Sequence, residues 1–333
     1  MAVNGAGQEG KAMRRFLGPV LLGVGVFLVV LAGLLKFFVA DRVILTPVDQ
    51  YAQTTSPGPG SYLDPAALQV RSADLVAVRT LKGDVAASSK DTAVWDVSVA
   101  LSTGDGQFVR ATIDRVATDR RTAEAVNCCG EAVDSVPTRH RGVSYKFPFG
   151  TEKQDYQFWD PNAKTAATAR YVSEDTVQGL TTYKFIEQIP ATQIQTLEVP
   201  GSLVGESAPS VQAPVFYTDT RTVWVEPKTG VIVKGSEQNR TTLRNSAGQD
   251  RTVVLQFDLT FDNATQRSQA ELARDNIGKI DLVTTWLPLI GLLVGLVLIA
   301  AGLIVMVAAD RAAARSTREQ EPPAEPDAPP APA

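Results

Sequence analysis

Two long apolar runs, Phe16 to Val39 and Trp286 to Ala309, stand near the two ends of the chain and enclose a polar middle section whose hydrophobic residues alternate. Each run is about two dozen residues, enough at about 1.5 Å per residue to cross a hydrocarbon core of about 30 Å. Both are expected to span a membrane as helices that satisfy their own backbone hydrogen bonds. Lys36 falls within a turn of the first run's end, where its stem can carry the ammonium to the headgroups. A signal peptide shares the basic start, but its apolar core is only about 7–15 residues long. Phe37, Phe38 and Val39 also crowd the place of a small-residue cleavage site, so an uncleaved anchor is the expectation.

Lys11, Arg14 and Arg15 precede the first run, and Arg311, Arg315 and Arg318 follow the second. Positive flanks favour the cytoplasm, which predicts a two-pass plasma-membrane protein with both termini inside and residues 40–285 outside. Residues 1–15 then form one cytoplasmic tail and 310–333 another. The second ends in a proline-rich stretch, read as disordered or as a docking peptide.

Strand patterns dominate the middle. Val94, Val97, Val99 and Leu101 alternate up to a turn at Thr103-Gly-Asp-Gly106, and Phe108 to Ile113 answers them as a hairpin. Arg221 to Glu226 and Val231 to Lys234 form a second hairpin around Pro227-Lys-Thr-Gly230. Val253 to Phe261 alternates cleanly, as a half-buried antiparallel strand does. Thr54-Thr-Ser-Pro-Gly-Pro-Gly60 reads as a loop. Over 266–284 the pattern turns helical, with Leu272, Ile277, Ile280 and Val283 on one stripe that leads into the second span. The fold class is therefore α+β: two terminal transmembrane helices, 16–39 and 286–309, bracketing a large antiparallel β domain.

With 32 basic and 36 acidic residues and a net charge of -4, the chain offers no basic excess for nucleic acid. Its only cysteines, Cys128 and Cys129, are adjacent. Outside the membrane they form either a strained vicinal disulfide or two free or intermolecular thiols. His140 lies between Arg139 and Arg141 and has no spaced partners, so it reads as a loop residue rather than a metal ligand or base. Neither a metal nor a cofactor is implied. Hydrolase and nucleotide motifs are absent. Among Glu152, Asp155, Asp160, Glu174, Asp175 and Glu187 a glycosidase-like pair would need a separation of about 5–9 Å that sequence does not reveal. An enzyme is the minority reading. Gly291 and Gly295 form a Gly-x-x-x-Gly face for a neighbouring helix, either the first span or a second copy in a homodimer.

The densest aromatic stretch joins Tyr145-Lys-Phe-Pro-Phe-Gly150 to Tyr156-Gln-Phe-Trp-Asp160. Phe147, Phe149, Tyr156, Phe158 and Trp159 are candidate lining for an acyl chain or sugar; ordinary core packing is the plainer alternative. With Gly179-Leu-Thr-Thr-Tyr-Lys-Phe185, Ile189-Pro190 and Trp224 to Val233, these segments resemble the actinobacterial domain-of-unknown-function 3068 family, labelled porin PorA. The plan of two terminal helices around a β ectodomain is also similar to that of the CD36 scavenger-receptor family. The first resemblance implies a cell-envelope role in the assembly or transport of lipids or lipoglycans; the second implies an internal lipid passage. A transmembrane β-barrel is not expected, since the lipid-crossing segments are helices. The leading expectation is a non-enzymatic envelope protein that binds or passes a lipid or lipoglycan. The alternatives are a scaffold for envelope biosynthesis enzymes and a carboxylate-dependent glycan-active enzyme.

Overall fold

The computed structural model describes residues 6–319, with side chains described for 16–39 and 42–312. The basic residues at 11, 14, 15, 315 and 318 lie outside the described side chains. The proline-rich end at 320–333 lies outside the described residues. The chain forms two compact units, residues 1–43 with 279–333, and residues 44–278.

The first unit is a helix pair. α1 (Ala6–Leu34) continues through a π-helical turn at Leu35–Val39 into the short α2 (Ala40–Val43). The unit's other helix is α4 (Leu287–Glu319), preceded by a π-helical turn at Leu282–Trp286; α3 (Asn263–Asp281), which leads into that turn, lies in the second unit up to residue 278. Helical backbone thus reaches beyond the predicted span limits at both termini, and the predicted tail starting at 310 is helical as far as Glu319. Two segments, Phe16–Val39 and one within Asn263–Ala312, are long and apolar enough to cross a membrane.

α1 and α4 pack through glycines. A Cβ on Gly25 would lie 2.7 Å from the Gly295 carbonyl oxygen, and one on Gly295 would lie 2.8 Å from that of Gly25. Only hydrogen at these positions lets the backbones come so close, the usual basis of helix pairing in lipid. A Cβ on Gly291 would meet the Ala32 side chain at 3.4 Å. The Gly-x-x-x-Gly face offered to a homodimer is therefore filled by α1 of the same chain.

The second unit is one antiparallel sheet of twelve strands. In chain order they are β1 (Tyr51–Asp64), β2 (Gln69–Gly83), β3 (Thr92–Thr103), β4 (Phe108–Asp119), β5 (Ala132–Val133), β6 (Val136–Pro137), β7 (Tyr156–Asp160), β8 (Thr165–Val177), β9 (Leu180–Val199), β10 (Val211–Val225), β11 (Ile232–Arg244) and β12 (Asp250–Thr260). The spatial order β6-β5-β4-β3-β2-β1-β12-β11-β10-β9-β8-β7 is two meanders joined where β1 meets β12. The margins are tied together by single rungs: Thr118 of β4 to Ala125, Glu124 to Val143, and Val143 to Phe158 of β7. The sheet curls into a partial barrel.

The segment read as a loop, Thr54 to Gly60, is instead the body of β1 and pairs with β2 from Tyr51↔Lys82 to Asp64↔Gln69. Pro57 and Pro59 have no N–H to donate. The ladder from β1 to β12 accordingly holds only at Gly60, Ser61 and Tyr62. Gly58 permits a close approach there, since a Cβ would sit 2.0 Å from the Asp258 carbonyl oxygen.

Alternation fixes the faces. Leu255 and Leu259 of β12 are buried while Gln256 and Asp258 between them are exposed. Gln238 donates to Asp258 and Arg240 to Gln256 across the outer face. Leucines turned in and polar side chains turned out along β12 are the inverse of a lipid-embedded barrel strand. α3 covers part of the exterior, burying Ala270 and Ala273 against Val177, Val231 and Val233.

Candidate functional site: the interior of the partial barrel

The aromatic stretch divides on folding. Phe147 is fully buried, with its ring centroid 4.9 Å from that of Phe185, 5.4 Å from Phe158 and 5.3 Å from Tyr156. These rings form the centre of the largest hydrophobic cluster. Phe149 lies beneath the Lys146 ammonium, 3.8 Å from the ring centroid. Trp159 faces the other way and packs on the buried imidazole of His140 at 4.5 Å. Of the five candidates, Phe158 and Trp159 border the internal cavity; Phe147, Phe149 and Tyr156 do not. Packing of Phe147, Tyr156 and Phe158 on one another is what the plainer core reading of their spacing anticipated.

Two further segments meet on this core. Phe147 N–H donates to the Gly230 carbonyl and Thr151 N–H to that of Pro227. The Glu226 carboxylate accepts from the backbone N–H groups of Lys228 and Thr229 and from the Thr229 hydroxyl, closing the turn. Gly230 has φ +72°, and a Cβ there would lie 2.0 Å from the Phe147 carbonyl oxygen. The Pro-Lys-Thr-Gly turn therefore clamps the Lys-Phe-Pro-Phe-Gly stretch. Lys146, buried with its Nζ donating to the Phe147 carbonyl, is pushed down to about 7 by burial.

The cavity, about 120 Å³, is lined by residues of β1–β4, β7 and β10–β12 and of the segments beside them. That is nearly ten times the ~10–15 Å³ that holds one water molecule. Leu101, Leu255, Phe257, Leu259 and Phe261 supply apolar lining that is interleaved with Arg79, Arg110, Arg221, Glu237 and Asn239: Leu101 stands opposite Arg110, Phe257 opposite Asn239 and Leu259 opposite Glu237 in the strand registers.

Arg221 is the hub of a buried ion cluster. Its guanidinium donates to Asp160 Oδ2 at 2.6 Å and Glu187 Oε2 at 3.0 Å, with Asp219 at 4.0 Å and Glu237 at 3.9 Å. Tyr217 also donates to Asp160 Oδ2. Asp160 and Glu187, two of the carboxylates considered for glycan chemistry, are thus joined through one guanidinium. Burial, only partly offset by Arg221, raises Glu187 to about 7 and holds Asp219 well above the usual carboxylate range. Among the described residues no group of three or more His, Cys, Asp or Glu side chains is arranged to hold a metal.

His140 is a loop residue, but it is wholly buried while Arg139 and Arg141 beside it are exposed. Its Nε2 lies 2.7 Å from Asp114 Oδ1 and its Nδ1 3.4 Å from Glu131 Oε1. The Tyr145 hydroxyl donates to Asp114 Oδ2 at 2.6 Å. Tyr145 sits on the cavity wall with φ +59°, an unusual backbone state for an aromatic residue. Neither this chain of groups nor the Arg221 cluster was anticipated from sequence. The available signal was Tyr217-x-Asp219-x-Arg221, a polar row at every second position of a strand that is otherwise buried on that face.

Cys128 and Cys129 are joined in a vicinal disulfide, with Cys129 at φ +65°. Arg115 donates to the Cys129 carbonyl while bridging Asp84 and Asp96 at 2.7 Å each.

Together these features define a class: two membrane-compatible helices joined to a β domain that is polar outside and encloses a cavity of mixed character. The family model described as Porin PorA matches residues 17–304, and the chain belongs to that family. Similar relatives include a Porin PorA of Corynebacterium amycolatum, 24% identical over 87% of this chain and 98% of that protein. Another is a Porin PorA of Corynebacterium resistens, 25% identical over 62% of this chain and 68% of its own length. Family and apolar helices together point to a membrane protein of the cell envelope.

Proposed function

We propose that this chain is a non-enzymatic envelope protein, anchored by two helices, whose β domain binds a lipid or lipoglycan inside its partial barrel. The observation that carries the reading is the cavity's lining, in which leucine and phenylalanine side chains are interleaved with guanidinium groups, within a sheet whose β11 and β12 turn polar side chains outward. Lining of both characters suits an amphiphile, of which a cavity of about 120 Å³ takes in one part rather than the whole. The printed name of the relatives describes a porin. A porin-type barrel would present an apolar band to lipid, whereas β11 and β12 here turn Gln238, Arg240, Gln256 and Asp258 outward.

The two-pass topology with both termini cytoplasmic belongs to the same proposal. Native mass spectrometry of the full chain, extracted from its host membrane in a native lipid disc and released into detergent-free gas phase, tests the binding. A retained envelope lipid or lipoglycan in the folded protein supports the reading. A ligand-free mass, unchanged after incubation with envelope lipid extract, sinks it and moves the weight to a scaffold role.

A further inference from the structure

Three guanidinium groups line the cavity, and two are occupied. Arg221 is held by its carboxylates, and Arg110 donates to Asn162 Oδ1 at 2.8 Å. Arg79 differs. Its Nε is closed off from solvent and has no hydrogen-bond partner, and no carboxylate lies within ion-pair distance of it among the described residues. Its guanidinium lies over the face of the Tyr145 ring, 5.6 Å from the centroid. The charged groups that act on it from neighbouring elements are Glu237, already turned to Arg221, and Arg221 itself.

An arginine does not discharge by losing its proton, so a half-buried guanidinium whose Nε is closed off without a partner and which has no counter-ion among the described residues weakens the ligand-free fold. A sequence keeps such a group when something completes it. A guanidinium fork matches a carboxylate or phosphate through paired N–H donors, and the Leu101, Leu255, Leu259 and Phe261 side chains in the lining of the same cavity match the first carbons of a hydrocarbon chain. The strained backbone of Tyr145 adjoins the same position.

We infer that Arg79 anchors the acidic head of an amphiphile, so that the ligand class is a carboxylate- or phosphate-bearing acyl or alkyl chain rather than a neutral glycolipid. The inference rests on the proposed binding role and narrows it.

The test uses the full chain in phosphatidylcholine nanodiscs with three photoreactive probes of equal chain length: palmitic acid, hexadecyl phosphate and hexadecanol. Labelled peptides are mapped, counting only β12. Acid and phosphate should label β12, and Arg79→Gln should cut both by roughly tenfold while hexadecanol labelling stays unchanged. Competition with inorganic phosphate separates a headgroup site from a free-anion site; displacement of the phosphate probe by inorganic phosphate alone, at equal concentration, would overturn the amphiphile assignment.

Equal labelling by all three probes, unaffected by Arg79→Gln, overturns the anion anchor and leaves the lipid-binding role standing. Failure of all three to label β12 sinks both. Because Arg79→Gln removes an unpaired charge, the melting temperature of the unliganded variant should hold or rise. A fall of several degrees would make Arg79 a structural residue and overturn the inference.

Discussion

The buried charges predict an unusual dependence of stability on pH. Glu187, raised from an ordinary 4.5 to about 7, keeps in the native state a proton that the unfolded chain releases between those values. Stability therefore falls as pH rises across that window. At about 1.4 kcal/mol per pH unit the loss is about 3 kcal/mol. Lys146, lowered from 10.5 to about 7, acts with the opposite consequence. Above about pH 7 the unfolded chain binds the proton that the native state has lost, so stability climbs again, by up to about 5 kcal/mol at pH 10.5. The lowered carboxyls of Asp64, Asp84 and Asp250 titrate only at more acidic pH. The melting temperature of the full chain, read by intrinsic tryptophan fluorescence in a nonionic detergent, should pass through a minimum near pH 7. At about 2–4 °C per kcal/mol the acid arm amounts to about 6–12 °C. Glu187→Gln should make the acid arm shallower, Asp219, which is also raised by burial, supplying the rest, and Lys146→Met should flatten the alkaline one. A melting temperature that rises steadily from pH 5 to 9 and is indifferent to Glu187→Gln would refute the assignment of these groups.

Phe147→Ala should lower unfolding stability by about 3–5 kcal/mol in a denaturant titration; a loss under about 1 kcal/mol would mean that the ring is not part of the packed centre. Gly230→Ala should cost more than the ~1–2 kcal/mol of the left-handed backbone alone, because its methyl meets the Phe147 carbonyl oxygen at 2.0 Å; a melting temperature equal to the parent's would contradict the clamp. Gly295→Leu should separate α1 from α4, so that a cysteine pair cross-linked across the helix crossing in the parent no longer forms in the variant. Unchanged cross-linking would argue against glycine-mediated packing.

Hairpins were legible wherever alternation ended in a turn with proper chemistry, as at Thr103 to Gly106 and Pro227 to Gly230. The same chemistry misled at Ser56 to Gly60. Proline and glycine there do not turn the chain but thin one ladder of an otherwise regular strand. The two long apolar helices were legible from length and composition. Of the site, sequence singled out aromatics, and folding sent Phe147 to the core and Phe158 to the cavity wall. Arg79 and Arg221 were illegible for a simple reason. Surface strands carry arginine at every second position too, and only the curl of the sheet decides which face becomes the inside. His140 is in a loop, as its sequence suggested, but its burial was illegible, since the arginines on both sides of it are exposed. Its real neighbours, Asp114 and Glu131, come from β4 and from the loop ahead of β5.

The seam where β1 meets β12 has a consequence for how the domain is made. The first and last strands are partners at the middle of the sheet, and the Thr55 backbone is also held by Asp262 N–H and the Thr265 hydroxyl. A chain emerging from its N-terminus can form β1 to β4 early, but the open side of β1 waits for nearly the whole domain to follow. Such non-local closure slows folding. Meanwhile that edge is a strand that would accept any passing partner. Pro57 and Pro59, lying on it without an N–H to offer, make it a poor template during the wait. The prolines that spoil β1 as a recognisable strand in the sequence thus serve as its guard against premature pairing at birth.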